Sequence, residues 1–219
     1  MKDLARDIEL LIITDRRKTR GRPLAEVIAR ACEGGARWFQ LREKDLPAGR
    51  FLELAWELRA VTAEMGARLI INDRADVALA VGADGLHLPA NGLPTEVARR
   101  LVGQELLLGV STHSADEAVR AARAGADYIT FGPLFYTPSK ASYGPPVGLE
   151  KLGDVVGLEP DLPVLGLGGV KPGNVGEVIL GGASGVALIS AVIAADDPAG
   201  AARGILKEIA EASKEARAL

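Results

Sequence analysis

The chain has 219 residues, 48% hydrophobic and only 4% aromatic. It is long enough for one domain with a core of Val, Leu, Ile and Ala, and too apolar to be disordered. The net charge of −3, from 26 basic and 29 acidic residues dispersed along the chain, argues against nucleic acid as a partner, and no apolar run reaches membrane-spanning length.

In chain order, Met1 to Asp7 lacks the apolar segment of a signal peptide, so the expected compartment is the cytoplasm. The first strand candidate is Leu10 to Thr14, followed by the basic stretch Arg16 to Arg22. That stretch reads either as a solvated loop or as one that raises the local potential for anionic substrates. Pro23 suits the first turn of a helix. Cys32 falls in that helix as a small buried residue, and as a lone cysteine it excludes an internal disulfide or a CxxC metal site. The helix leads into Gly35-Ala36 and the run Arg37 to Leu41. The same signature returns as Gly82-Ala83 before Asp84 to Leu88, Gly125-Ala126 before Asp127 to Phe131, and Gly182-Ala183 before Ser184 to Ile189. Each of these glycines stands where a helix would end at positive φ, and each apolar run reads as a buried strand. Arg68 to Ile71, Leu106 to Val110 and Pro163 to Leu167 supply the strands between. Ser114-Ala115-Asp116-Glu117 has the form of a capping box, Pro172 suits a first helical turn, and Asp197-Pro198 reads as an N-cap and first helical position.

Eight apolar strands alternating with helices predict a parallel sheet covered on its outer face. The glycine-rich dinucleotide signature is absent after the first strand, and the even repeat favours closure. The expected fold is therefore α/β, a single (β/α)8 TIM barrel over residues 1–219.

In such a barrel, function belongs at the C-terminal strand ends. Here these are rich in polar residues and glycine: Thr14-Asp15-Arg16, Gln40 to Lys44, Asn72-Asp73-Arg74, His87 to Gly92, Ser111-Thr112-His113, Gly132 to Lys140, Gly168-Gly169-Val170 and Ile189-Ser190. Gly168-Gly169 lets backbone N–H groups approach an anion, or simply makes a tight turn. Arg42 and Lys44 share one side of an extended segment and suit phosphate oxygens, or pair with Glu43 or Asp45. Lys140, with Thr137 and Ser139, adds a third cation and two hydroxyls, and three converging cations suit a diphosphate. Asp73 reads as a Mg²⁺ ligand, or it and Asn72 as the cap of the next helix. His87 reads as a hydrogen-bonded inward residue, and His113 as an acid-base or turn residue.

Taken in order, these strand ends resemble the thiamin phosphate synthase family from about Leu10 to the last helix. The carrying stretches are Ile13-Thr14-Asp15, Gln40-Leu41-Arg42-Glu43-Lys44, Ile71-Asn72-Asp73-Arg74, Gly109 to His113, Gly125-Ala126-Asp127-Tyr128, Thr137 to Lys140, Gly168-Gly169-Val170 and Gly185 to Ala191. The resemblance implies coupling of hydroxymethylpyrimidine diphosphate to thiazole phosphate with release of diphosphate. It implies Arg42, Lys44, Asn72 and Lys140 on the diphosphate, and Gln40 and Ser111 on the pyrimidine. Thr137, Ser139, Gly169, Ile189 and Ser190 would surround the thiazole phosphate, and Asp73 would bind Mg²⁺. Where the family carries a second acidic Mg²⁺ ligand after the fourth strand, this chain has Gly92, with Asn91 one residue out of register. That departure brings in the related thiazole tautomerases, in which His113 would be the acid-base residue, and a barrel that binds thiazole phosphate without catalysis. The oligomeric state stays open, and a homo-oligomer is compatible with the sequence.

Overall fold

The computed structural model describes residues 2–138 and 144–218. In chain order it contains α1 (Lys2–Arg6), β1 (Leu10–Ile13), α2 (Leu24–Glu33), β2 (Trp38–Leu41), α3 (Ala48–Glu64), β3 (Arg68–Asn72), α4 (Ala75–Ala80) and β4 (Gly85–Leu88). There follow α5 (Thr95–Val102), β5 (Leu107–Thr112), α6 (Ala115–Arg123), β6 (Tyr128–Phe131), α7 (Gly148–Leu158) and β7 (Val164–Leu167). The chain ends in α8 (Val175–Leu180), β8 (Gly185–Leu188), α9 (Ser190–Ile193) and α10 (Pro198–Ala216). The strands pair in parallel in sequence order, and β8 closes onto β1. The expected eight-stranded barrel is the observed one.

The Gly-Ala repeat is the joint between helix and strand. Gly35, Gly82, Gly125 and Gly182 all have positive φ, between 59° and 101°. At each, the following alanine N–H turns back to a helix carbonyl: Ala36 to Ala31, Ala83 to Ala78, Ala126 to Ala121 and Ala183 to Val178. This is the Schellman arrangement, which satisfies orphan carbonyls of the last turn and redirects the chain. Gly66-Ala67 makes the same joint after α3, with φ 62° at Gly66 and a bond from Ala67 to Thr62. Three cap expectations need correction. Pro23 is the N-cap of α2 and stands one residue before its first turn. Pro172 lies before the N-cap Asn174 of α8 and outside its first turn, because Gly173 at φ 94° interrupts the helical path. Ser114 does accept from Glu117 N–H, but Glu117 Oε2 accepts from His113 N–H at 2.6 Å, one residue further back than a capping box requires.

Strand periodicity sorts the core into two. Leu10, Ile12, Phe39, Leu41, Leu69, Ile71, Leu86 and Leu108 face the helices. Leu11, Ile13, Trp38, Ile70, Leu107, Tyr128, Leu165 and Ala187 fill the barrel, with Ala5 and Ile8 from the N-terminal segment packed into the same cluster. Around the strand N-terminal ends, polar side chains close completely. Asp84 accepts from Leu69 N–H, Arg59 and Arg68, and Asp127 from Leu108 N–H and Arg99. No helix among the described residues is long and apolar enough to cross a membrane.

Candidate active site

Continuing the inward parity of β2 to β6 to their C-terminal ends replaces apolar residues by Gln40, Asn72, His87, Ser111 and Thr130, whereas β1, β7 and β8 keep Ile13, Leu167 and Ile189. Of the polar residues, all but Ser111 are buried. Gln40 Nε2 donates to Asn72 Oδ1 at 3.0 Å, while Gln40 Oε1 is buried with no partner among the described residues. A buried amide oxygen without a donor is costly, so this atom marks a place where something else should donate.

Asp73 follows β3 with φ +67°, a region that few residues other than glycine adopt. The helix-cap alternative fails for both candidates. The N-cap of α4 is Arg74, and no side chain caps that helix. Asp73 instead borders a cleft of about 270 Å³, together with Glu43, Lys44, Asn72, Arg74 and Asn91. Gly92 abuts it, for a Cβ built there would stand 3.0 Å from Asp73 Oδ1. The position without a second carboxylate is thus spatially, not only sequentially, beside the first. Among the described residues no cluster of three or more His, Cys, Asp or Glu could hold a metal. One carboxylate and an amide nonetheless suit Mg²⁺, which keeps most of its waters and leans on substrate phosphates.

The loop after β2 divides its charges by direction. Glu43, almost fully buried, accepts from Arg16 N–H and from Arg16 Nη1, both at 2.9 Å. Asp45 accepts from both Arg16 nitrogens and pairs with Arg17 at 2.6 Å. Arg16, followed by Arg17, holds the Asp45 carboxyl well below the usual carboxylate range. Both acids flanking Lys44 are therefore engaged by the loop after β1 and form no ion pair with Arg42. Half-buried Arg42 forms no ion pair with a described carboxylate, and its backbone N–H is fixed by Thr14 Oγ1 at 2.9 Å. Lys44 lies in a turn rather than an extended segment, so its place at the cleft comes from the turn and not from strand parity.

The basic stretch is a strap that is tied to its neighbours while Arg17, Lys18 and Arg20 stay exposed to solvent. Arg16 and Arg17 bind the β2 loop, Arg20 pairs with Asp196, and Arg22 donates to the Ala195 carbonyl at 2.6 Å. Lys18 Nζ donates to Ser190 Oγ at 3.2 Å, so a cation stands where β8 gives way to α9. Sequence reasoning missed these struts because their partners are more than 25 residues away.

His87 bridges two hydroxyls, with Nδ1 3.1 Å from Tyr128 Oη and Nε2 2.9 Å from Ser111 Oγ. Burial, and secondly the Arg42 charge, push its imidazole down to about 3, so it is neutral at physiological pH. Exposed His113 sits 3.3 Å from Glu117 through Nδ1.

Gly168 and Gly169 have φ +89° and +69°, and a Cβ on either would collide with Pro133 or Phe135 of the β6 loop. The tight turn is real and glycine is required for it. It leaves the Gly169 N–H without an acceptor among the described residues, so turn and anion approach are compatible. Thr137 is half-buried at the β6 end, and Ile189 and Ser190 open α9. Ser139 and Lys140 lie outside the described residues.

The family model for thiamine monophosphate synthase matches residues 10–192. A relative from Geobacter sulfurreducens is 52% identical over 200 residues, covering 91% of this chain and 93% of its own. The thiamine-phosphate synthase of Roseiflexus sp. is 48% identical over 204 residues, 93% of this chain and 86% of that one. The solved thiamine phosphate pyrophosphorylase from Pyrococcus furiosus superposes with a TM-score of 0.86 at 37% identity, over 96% of this chain and 99% of that one. The chain belongs to the thiamine monophosphate synthase family.

Proposed function

We propose, from that membership, that the chain is a thiamin phosphate synthase, a transferase that couples hydroxymethylpyrimidine diphosphate to thiazole phosphate and releases diphosphate. Residues 1–219 act as one domain, in the cytoplasm. The observation that carries this reading is the half-buried Arg42 guanidinium, which pairs with no carboxylate among the described residues because Arg16 and Arg17 neutralise its acidic neighbours. A partly desolvated cation with no carboxylate partner among the described residues calls for an external anion.

In this reading Arg42, Lys44, Asn72 and Lys140 bind the diphosphate, and Gln40 and Ser111 hold the pyrimidine. Gln40 Oε1 accepts a hydrogen from it, ending the isolation of that buried atom. Thr137, Ser139, Gly169, Ile189 and Ser190 surround the thiazole phosphate, with Lys18 beside Ser190. The methylene carbon–oxygen bond breaks heterolytically and both electrons leave with the diphosphate. The thiazole nitrogen lone pair then forms the new carbon–nitrogen bond. Arg42 and Lys44 act by meeting charge that grows as the bond breaks, so no protein nucleophile is needed. Asp73 would hold Mg²⁺, with Asn91 on the same cleft; when bound, Mg²⁺ supplies further positive charge to the leaving group.

The test is diphosphate release from the two substrates with Mg²⁺ present. Background release, with conversion of the non-aromatic thiazole phosphate instead, would replace this reading by the tautomerase one. No turnover of either kind would leave a binding barrel.

A further inference from the structure

We infer that Tyr128 and His87 are positioning residues that make the Ser111 hydroxyl a hydrogen-bond donor toward the substrate. The identity of that substrate rests on the function proposed above, but the proton arrangement does not.

His87, Gly109 and Tyr128 are register partners across β4, β5 and β6. The middle position has no side chain, and a Cβ on Gly109 would fall 2.1 Å from Tyr128 Cζ. The tyrosine ring therefore fills the space that a β5 side chain would take and reaches His87, with ring centroids 5.6 Å apart. Ser111 is the next inward residue along β5, and its Oγ lies 2.9 Å from His87 Nε2.

The hydrogens can be counted. Tyr128 is fully buried, and among the described residues its hydroxyl meets only His87 Nδ1. If Nδ1 carried a hydrogen and donated it, the phenol hydrogen would be buried with no acceptor, the costlier arrangement. The phenol must donate to Nδ1, which places the imidazole hydrogen on Nε2, donating to Ser111 Oγ. Thr130 Oγ1 stands 3.4 Å from the same oxygen, beyond an ordinary hydroxyl–hydroxyl bond. Ser111 Oγ thus accepts from His87, and among the described residues the acceptor nearest its own hydrogen is Thr130 Oγ1, too distant at 3.4 Å to compete with a substrate atom at ordinary hydrogen-bond length. It is also the half-buried member of a network whose other members, Tyr128, His87 and Thr130, are buried, so the chain of bonds opens to the mouth through Ser111. The substrate atom that it meets must offer a lone pair. In a pyrimidine this is a ring nitrogen.

The direct test is ¹⁵N NMR of the substrate-free protein labelled at the histidine ring nitrogens, with the His87 signals assigned by their loss in His87→Gln. An Nε2–H tautomer is expected for His87. An Nδ1–H tautomer or an imidazolium overturns the inference whether or not the protein turns anything over. For the consequence, His87→Leu should raise KM for the pyrimidine substrate about five- to tenfold, the worth of one neutral hydrogen bond, and leave KM for the thiazole phosphate unchanged. His87→Gln, whose amide can donate in place of Nε2, should recover most of that loss. An unchanged pyrimidine KM in a folded His87→Leu protein overturns the positioning role. A pyrimidine analogue with C–H replacing the contacted nitrogen should bind the wild type more weakly by a similar factor, and Ser111→Ala should not distinguish it from the parent. Equal binding by the wild type would overturn the donor assignment.

Discussion

The two ends of the barrel use the same residue types to opposite effect. At the N-terminal ends of the strands, Asp84 and Asp127 each accept from a strand N–H and from arginine, and the circuits close within the protein. At the C-terminal ends, among the described residues, Gln40 Oε1 has no donor and Arg42 no carboxylate, and Asp73 sits in a left-handed conformation without capping a helix. One end is organised for stability and the other holds polar groups in readiness, which is the division of labour expected of a (β/α)8 barrel.

The comparison can be broken by exchanging the effects. Arg42→Ala should lower kcat roughly 10²–10³-fold, about 3–4 kcal/mol of transition-state stabilisation, and leave the unfolding midpoint unchanged or slightly raised. Substantial destabilisation would mean that the mouth is structural after all. Asp127→Ala should do the reverse, costing about 3 kcal/mol in urea unfolding by taking the acceptor from Leu108 N–H and the carboxylate from the nearly buried Arg99, with kcat of the folded fraction near wild type. The pH dependence sharpens the contrast. The folded-state pKa of His87, about 3, lies below the unfolded value of about 6.5, so the unfolded chain takes up a proton that the folded one refuses. Its contribution is full above about pH 6.5 and is lost as pH falls toward 3, so His87→Gln should flatten that acid limb of the stability curve. An identical limb in variant and wild type would show that His87 is not held neutral.

The smallest effect is expected from Gly92→Asp. It places a carboxylate beside Asp73 but also sets a Cβ 2.9 Å from Pro89 Cδ, so the turn must shift to admit it. The Mg²⁺ concentration for half-maximal binding, read by calorimetry with diphosphate present, should fall only a few-fold. No change in Mg²⁺ binding would remove this position from the metal's surroundings.

The amino-acid sequence on its own determined the elements and their closure, because those signals are local. Gly82 at a helix end, the apolar run after it and the Asp197-Pro198 helix start report backbone conformations fixed by a few neighbouring residues. It also marked Gln40, Arg42, Asn72, Asp73 and Ser111 as mouth residues, since they stand at strand ends. Partnerships were decided only by the tertiary structure. That Glu43 turns away to Arg16, that Gly109 exists to admit the ring of Tyr128, and that Gly92 abuts Asp73 depend on register and closure across strands. Such contacts join residues distant along the chain, and no local preference of either partner encodes them.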